Sequence, residues 1–228
     1  MDHIRKLFEG RKSFWLVPLY AAFYIPWFIW LEKHVTTQYY MIHMAIDDII
    51  PFCEYFIVFY FIWFVYMIAA VVLCVFTDRK TFFKSFAFIA SGMTIFLVIS
   101  TLFPNGHGLR PESFPRDNIF TDLVAFIYRA DTSTNIFPSL HVYNAIGAHL
   151  SIVFNKCLKS RKGVKAFSLF ICVGICLSTL FVKQHSMFDV IGAVVLSMIM
   201  YPICFREEYR SFVLSRRERR TESYSRGL

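Results

Sequence analysis

The chain has 228 residues, of which 57% are hydrophobic and 19% aromatic, with only nine glycines. That balance excludes a soluble globular domain and a disordered or fibrous chain, and places the sequence among helical integral membrane proteins. A formal net charge of +8 raises nucleic-acid binding, but the charge is distributed along the chain in a way that argues against it.

A membrane span needs about 20 apolar residues to cross about 30 Å of hydrocarbon. Six segments meet that need: 14–32, 50–76, 83–103, 138–155, 166–182 and 187–205. The first follows a charged start, 1–12, that looks like a secretory n-region. Its apolar run is too long, and no small-residue cleavage site follows Trp30-Leu31-Glu32, so it is expected to be a retained signal anchor. The connection 33–49 carries Asp47 and Asp48, expected to be solvated. Glu54, near the outer end of the second span, is expected to reach the interface or to pair with Lys183 or Arg110, since a carboxylate is costly there.

The third span leads into the longest connection, 104–137. It opens with Pro104, Asn105, Gly106, Gly108, Pro111 and Pro115, a turn-forming composition. His107 within it is expected to be solvated. Its second half, 117–130, alternates acidic and apolar residues at helical spacing, which predicts a short interfacial helix. The fourth span opens with Pro138-Ser139-Leu140-His141, and the sixth with His185-Ser186-Met187-Phe188-Asp189.

With the N-terminus taken as cytoplasmic, 19 of the 24 Lys and Arg fall on the inner side. They lie in 1–12, 79–84, 156–165 and the tail from 206, whereas Lys33, Arg110, Arg116, Arg129 and Lys183 fall outside. This is the positive-inside asymmetry of a multi-span protein. The run Arg216-Arg217-Glu218-Arg219-Arg220 then lies against anionic headgroups. No nucleic-acid partner is expected. The six cysteines, at 53, 74, 157, 172, 176 and 204, form neither a disulfide framework nor a zinc knuckle.

The expected architecture is therefore all-α: one membrane domain over 1–228, a bundle of six transmembrane helices with both termini cytoplasmic. Its catalytic core covers about 85–205 and its basic tail 206–228. In this topology Arg110, His141, His185 and Asp189 meet at one depth on the outer face. An ionisable side chain at membrane depth costs roughly 2.5–3.5 kcal/mol even on lenient insertion scales, so such a set points to function.

His185 and Asp189 are four residues apart, a spacing that shares one helix face. The carboxylate can accept from imidazole Nδ1–H and leave the Nε2 lone pair free, as the orienting Asp does in hydrolase triads. Such an Nε2 can attack phosphorus and form a covalent phosphohistidine. A capped helix start with a satisfied histidine would give the same spacing. Pro138 suits the first helical position, which leaves the amides of Ser139, Leu140 and His141 for a phosphate oxygen. His141 can protonate a departing alkoxide. Arg110 and Lys183 offer positive charge to the phosphoryl oxygens without a metal. His149, two turns beyond His141, is expected to make a polar packing contact. Tyr143 and Asn144 are candidates to border the site.

These residues resemble the type-2 phosphatidic acid phosphatase superfamily, with motifs Lys-x6-Arg-Pro, Pro-Ser-Gly-His and Ser-Arg-x5-His-x3-Asp. The likeness runs over roughly 85–205, at Arg110-Pro111, at Pro138 to His141, and from Ser178-Thr179 through His185 to Asp189. It implies His185 as nucleophile, Asp189 as its orienter, His141 as general acid, and Arg110 and Ser139 as phosphate holders. Phe103, Leu140 and Thr179 depart from the motifs' lysine, glycine and arginine. The Phe-Pro-Ser-Leu-His and Lys-Gln-His versions are similar to the inositol phosphorylceramide synthase-like branch, whose members transfer a phospho-headgroup to a lipid alcohol.

The expected function is a lipid phosphate phosphatase of the cell membrane, acting on a lipid phosphomonoester or diphosphate at an extracytoplasmic site. Its partners are the lipid substrate and membrane lipids, with no cofactor or metal. Phosphotransfer to a lipid alcohol is the alternative. A transporter using a histidine proton relay is a third reading, and a zinc site of His141, His185 and Asp189 a fourth.

Overall fold

The computed structural model describes residues 15–35 and 37–214. The charged start 1–12 and the Arg216 to Arg220 run lie outside the described residues. In chain order the elements are α1 (Leu16–His34), β1 (Tyr40–Met41), α2 (Ala45–Ile49), α3 (Ile57–Thr77), α4 (Arg79–Leu102) and β2 (Asn105–Gly106). They continue with α5 (Ile119–Ala130), α6 (Leu140–Phe154), α7 (Lys162–Phe181) and α8 (Met187–Cys204).

A helix thus forms at each of the six apolar segments, and α5 at the expected interfacial helix. Among the described residues, four of them are long and apolar enough to cross a membrane: α3 with its preceding turn from Glu54, α4, α7 and α8. Helix α1 contains Pro26 and ends in Glu32-Lys33-His34. Helix α6 has 15 residues, about 22 Å at 1.5 Å per residue, short of a full hydrocarbon core. It is the hub of the bundle, packed against α3, α4, α7 and α8. Its buried Ala145, Gly147, Ala148 and Ser151 let four neighbours approach closely, which small residues permit between membrane helices.

Side-chain caps start the helices where the sequence turns polar. Asp78 accepts from Thr81 N–H at 3.2 Å, Asn118 from Phe120 and Thr121 N–H at 2.9 and 3.1 Å. Each satisfies donors that the first turn leaves unpaired.

The bundle has two chemically different ends. One carries Arg79, Lys80, Lys84, the basic loop 155–161 and the helical residues 206–214. There Asp78 receives Lys156 N–H at 3.1 Å, and Lys84 pairs with Glu207 and Glu208 at 2.8 and 2.7 Å. The other end carries the histidine motifs and is roofed by the long connections. Strands β1 and β2 pair in parallel, two residues each. Asn105 is the bracket beneath them: buried, its Oδ1 accepts from both Ile136 and Phe137 N–H at 2.9 Å. Phe137 in turn lies on Gly192 of α8, where a Cβ would meet its ring at 2.2 Å. Only a glycine lets the segment before α6 settle onto α8.

Three loop expectations are corrected here. Glu54 is fully buried and pairs with neither Lys183 nor Arg110. It makes a two-pronged ion pair with Arg116, at 2.6 and 2.8 Å, and accepts from Asn118 at 3.0 Å. That pair pins the long connection to the start of α3. Asp47 and His107, expected in solvent, are each 2% exposed, because each accepts or donates bonds to the loop that carries His185.

Candidate active site

His141 and His185 are brought together at the roofed end. His141 lies in the first turn of α6, and His185 in the short α7–α8 loop. His141 Nδ1 and His185 Nε2 are 3.3 Å apart, with ring centroids at 5.5 Å. Asp189 stands behind His185, its Oδ2 at 3.4 Å from Nδ1. The shared helix face expected for His185 and Asp189 takes a modified form. Helix α8 starts at Met187, so His185 precedes it. Ser186 is the N-cap, and Asp189 Oδ2 closes a capping box by accepting Ser186 N–H at 2.8 Å. Its buried Oδ1 has no partner.

Pro138 is not the first helical residue. Ser139 is the N-cap, its hydroxyl accepting from Val142 N–H at 3.4 Å. The Ser139 amide is also engaged: it donates to the Asp189 carbonyl at 3.2 Å, which ties the two motifs directly. Leu140 and His141 therefore supply the first-turn amides that can meet an anion.

The loop around His185 is held from three sides. Asp47 accepts from the Ser186 hydroxyl at 2.6 Å and from Met187 N–H at 2.8 Å. Lys183, in the left-handed region at φ 53°, donates its ammonium to the Asp47 carbonyl at 2.7 Å and to that of Ile50. It is thereby directed into the α2 turn and does not line the cavity described below. His107 Nδ1 accepts from Leu109 N–H at 3.0 Å, which fixes the tautomer. Its Nε2–H then donates to the Gln184 carbonyl at 2.9 Å.

Arg110 sits behind Gln184. Its guanidinium donates to the carbonyls of Tyr128, Asp131 and Thr132 and to Gln184 Oε1, at 2.7–3.1 Å. It also lies 4.5 Å over the Tyr128 ring. Burial, with the Arg110 charge added, pushes His185 down to about 3, so the imidazole is neutral and its lone pair available.

Both rings open on a cavity of about 360 Å³ between α1, α3, α4 and the roof. Its deep wall is apolar and aromatic, including Tyr24, Phe28, Phe64, Met93 and Phe96. The tilted rings of Tyr60 and Trp63 pack against His141, at centroid distances of 4.5 and 4.6 Å. The polar wall includes residues the motif reading passed over. Gln184 offers a buried Nε2 without a partner, and Asn135 and Asn144 each offer an unpartnered Oδ1. Glu32 and Asp131 add two carboxylates. Burial and the Glu32 charge push Asp131 up to about 6. Of the other candidates, Asn144 borders the cavity, while Tyr143 turns away to donate to the Phe88 carbonyl at 2.8 Å. His149 makes a packing hydrogen bond to Ser168 at 2.9 Å.

This arrangement sets two facing imidazoles, one with a carboxylate 3.4 Å behind it, on the wall of a largely apolar cavity. Residues 109–212 match the PAP2 superfamily. That PAP2 segment takes in Arg110, both histidine motifs and helices α5 to α8, and is consistent with a member of the type-2 phosphatidic acid phosphatase superfamily. No curated protein and no solved structure matches the chain significantly. PAP2 members are typically phosphatases or phosphotransferases, and the apolar helices around the segment fit a membrane enzyme of that type.

Proposed function

We propose that the protein is a lipid phosphate phosphatase, embedded in the cell membrane as a six-span bundle with cytoplasmic termini and an extracytoplasmic site. The observation that carries this reading is the 3.3 Å approach of His141 Nδ1 to His185 Nε2 over an aromatic cavity, with Asp189 behind. The basic residues at the opposite end of the bundle support the orientation.

In the reaction the substrate phosphoryl group takes the place of the contact between the rings. His185 Nε2 attacks phosphorus, forming a P–N bond as the P–O bond to the lipid breaks. Asp189 steadies the positive charge that develops on the ring. His141 gives its Nδ1 proton to the leaving oxygen. It must start as the imidazolium, since a neutral ring would leave an imidazolate; a phosphate anion in place of neutral His185 favours that form. Water then attacks the phosphohistidine, His141 takes its proton, and phosphate departs. Leu140 and His141 amides, Ser139 and Gln184 Nε2 hold the oxygens, with the Arg110 charge close behind.

The alternative, transfer of the phosphoryl-bearing headgroup to a lipid alcohol, is favoured by the unpartnered Asn135 and Asn144 acceptors on the cavity wall, which suit a hydroxyl donor. The test is a substrate screen on purified parent and His185→Ala, recording free phosphate and new lipid together. Phosphate release lost in His185→Ala supports hydrolysis, and a new lipid supports transfer. Undiminished turnover by His185→Ala rejects both.

A further inference from the structure

Below the histidine cavity lies a second one, of about 180 Å³, enclosed by α1, α3 and α4. The two share Tyr24 and Met93 as lining residues, so they adjoin end to end. The inner cavity runs along α4 from Met93 to Phe82, about 16 Å at the helical rise of 1.5 Å per residue. Its walls are apolar, and its polar atoms are mostly turned away: Tyr20 donates its hydroxyl to the Ala90 carbonyl at 2.8 Å, and Cys74 points to the Ser151 carbonyl at 3.7 Å. Ser85 alone contributes a buried hydroxyl without a partner. Helix α1 packs chiefly along α4, which leaves a slot beside α3.

An apolar slot that meets the histidine cavity at Tyr24 and Met93 suits a hydrocarbon chain bonded to a phosphate held there. We propose that the inner cavity between α1, α3 and α4 holds one alkyl chain of the substrate lipid while its phosphate meets His185. This rests on the phosphatase or phosphotransferase reading above. It adds a chain-length selectivity set by residues 17–24 and 82–93, all of which lie outside the PAP2 match.

The test compares hexyl, dodecyl and hexadecyl phosphate as substrates for parent, Ala21→Trp, Ala90→Trp and Phe82→Ala. Ala21 and Ala90 line the inner cavity, and an indole there fills it. The expected result is loss of kcat/KM for the long chains by about tenfold or more, the scale of losing burial of a few methylenes, with hexyl phosphate turnover kept. Retained hexyl turnover also reports a folded protein. Phe82→Ala lengthens the cavity and shifts preference toward hexadecyl phosphate. An unchanged chain-length profile in all three variants, or equal losses for every chain, overturns the proposal. A second readout does not need turnover: an alkyl phosphate with a terminal diazirine, bound to His185→Ala, labels α1 and α4 residues of the inner cavity. Equal labelling by an uncharged alkyl diazirine makes the slot a bilayer-lipid groove and also overturns it. Parent protein inert toward every lipid phosphate, yet labelled selectively by the phosphate probe, defeats the proposed reaction and leaves the chain site standing.

Discussion

At the scale of single residues, the proposed reaction separates groups that do chemistry from groups that hold them. His141 has two aromatic rings against it and faces His185, and the proposed reaction gives it the leaving group. Replacing it with alanine is expected to slow hydrolysis of an alkyl phosphate by about 10²–10⁴, the usual worth of a positioned acid. The same variant should lose far less on a para-nitrophenyl phosphate ester, whose leaving group needs no proton. Equal losses in a side-by-side rate comparison would remove His141 from the acid role. The motif residues were readable because each lies in a window of twelve residues or fewer. Gln184 was not singled out: its unpartnered Nε2 follows from Arg110 and His107, which hold the rest of it from 74 and 77 positions away.

At the scale of elements, the short helix α2 is more than a connection. Its Asp47 receives three donors, Met44 N–H, the Ser186 hydroxyl and Met187 N–H, at 2.8, 2.6 and 2.8 Å. The start of α8, and hence His185, is anchored to it. Asp47→Ala leaves those donors buried and unpaired, at about 1–3 kcal/mol for each group. Purified variant should melt several degrees lower and lose kcat with KM little changed. A variant with parental melting temperature and kcat would show that α2 does not position His185. A pair of adjacent carboxylates in a polar connection reads locally as solvated. Burial of Asp47 comes from α8 packing on it, and no local pattern encodes that.

For the whole molecule, the roof over the bundle is held by buried polar groups, and its stability follows their protonation. Burial, with a lesser effect of His185, pushes His107 down to about 4, against about 6.5 when unfolded. Below pH 6.5 the unfolded chain takes up a proton that the folded chain refuses, so stability falls as pH drops from 6.5 toward 4. Between pH 7 and pH 5 this one group accounts for on the order of 1–2 kcal/mol. Asp131, raised to about 6, works in the opposite sense, since the folded state holds its proton more firmly. Thermal unfolding at the two pH values should therefore show a smaller acid loss in His107→Gln than in the parent. Identical losses would exclude His107 as the titrating group.

Hydropathy over windows of 20 residues, the basic loops and two short motifs determined a bundle of apolar helices and the pair of histidine segments it brings together, because these are properties of adjacent residues. The same reading left the helix α6 too long by placing Pro138 inside it, and left Glu54 without Arg116. Those outcomes, the burial of Asp47 and His107, and the two cavities that share Tyr24 and Met93 were decided by tertiary structure alone. The bond between Asp47 and Ser186 spans 139 positions. Whether a polar side chain is solvated or pinned depends on which distant surface comes to rest against it.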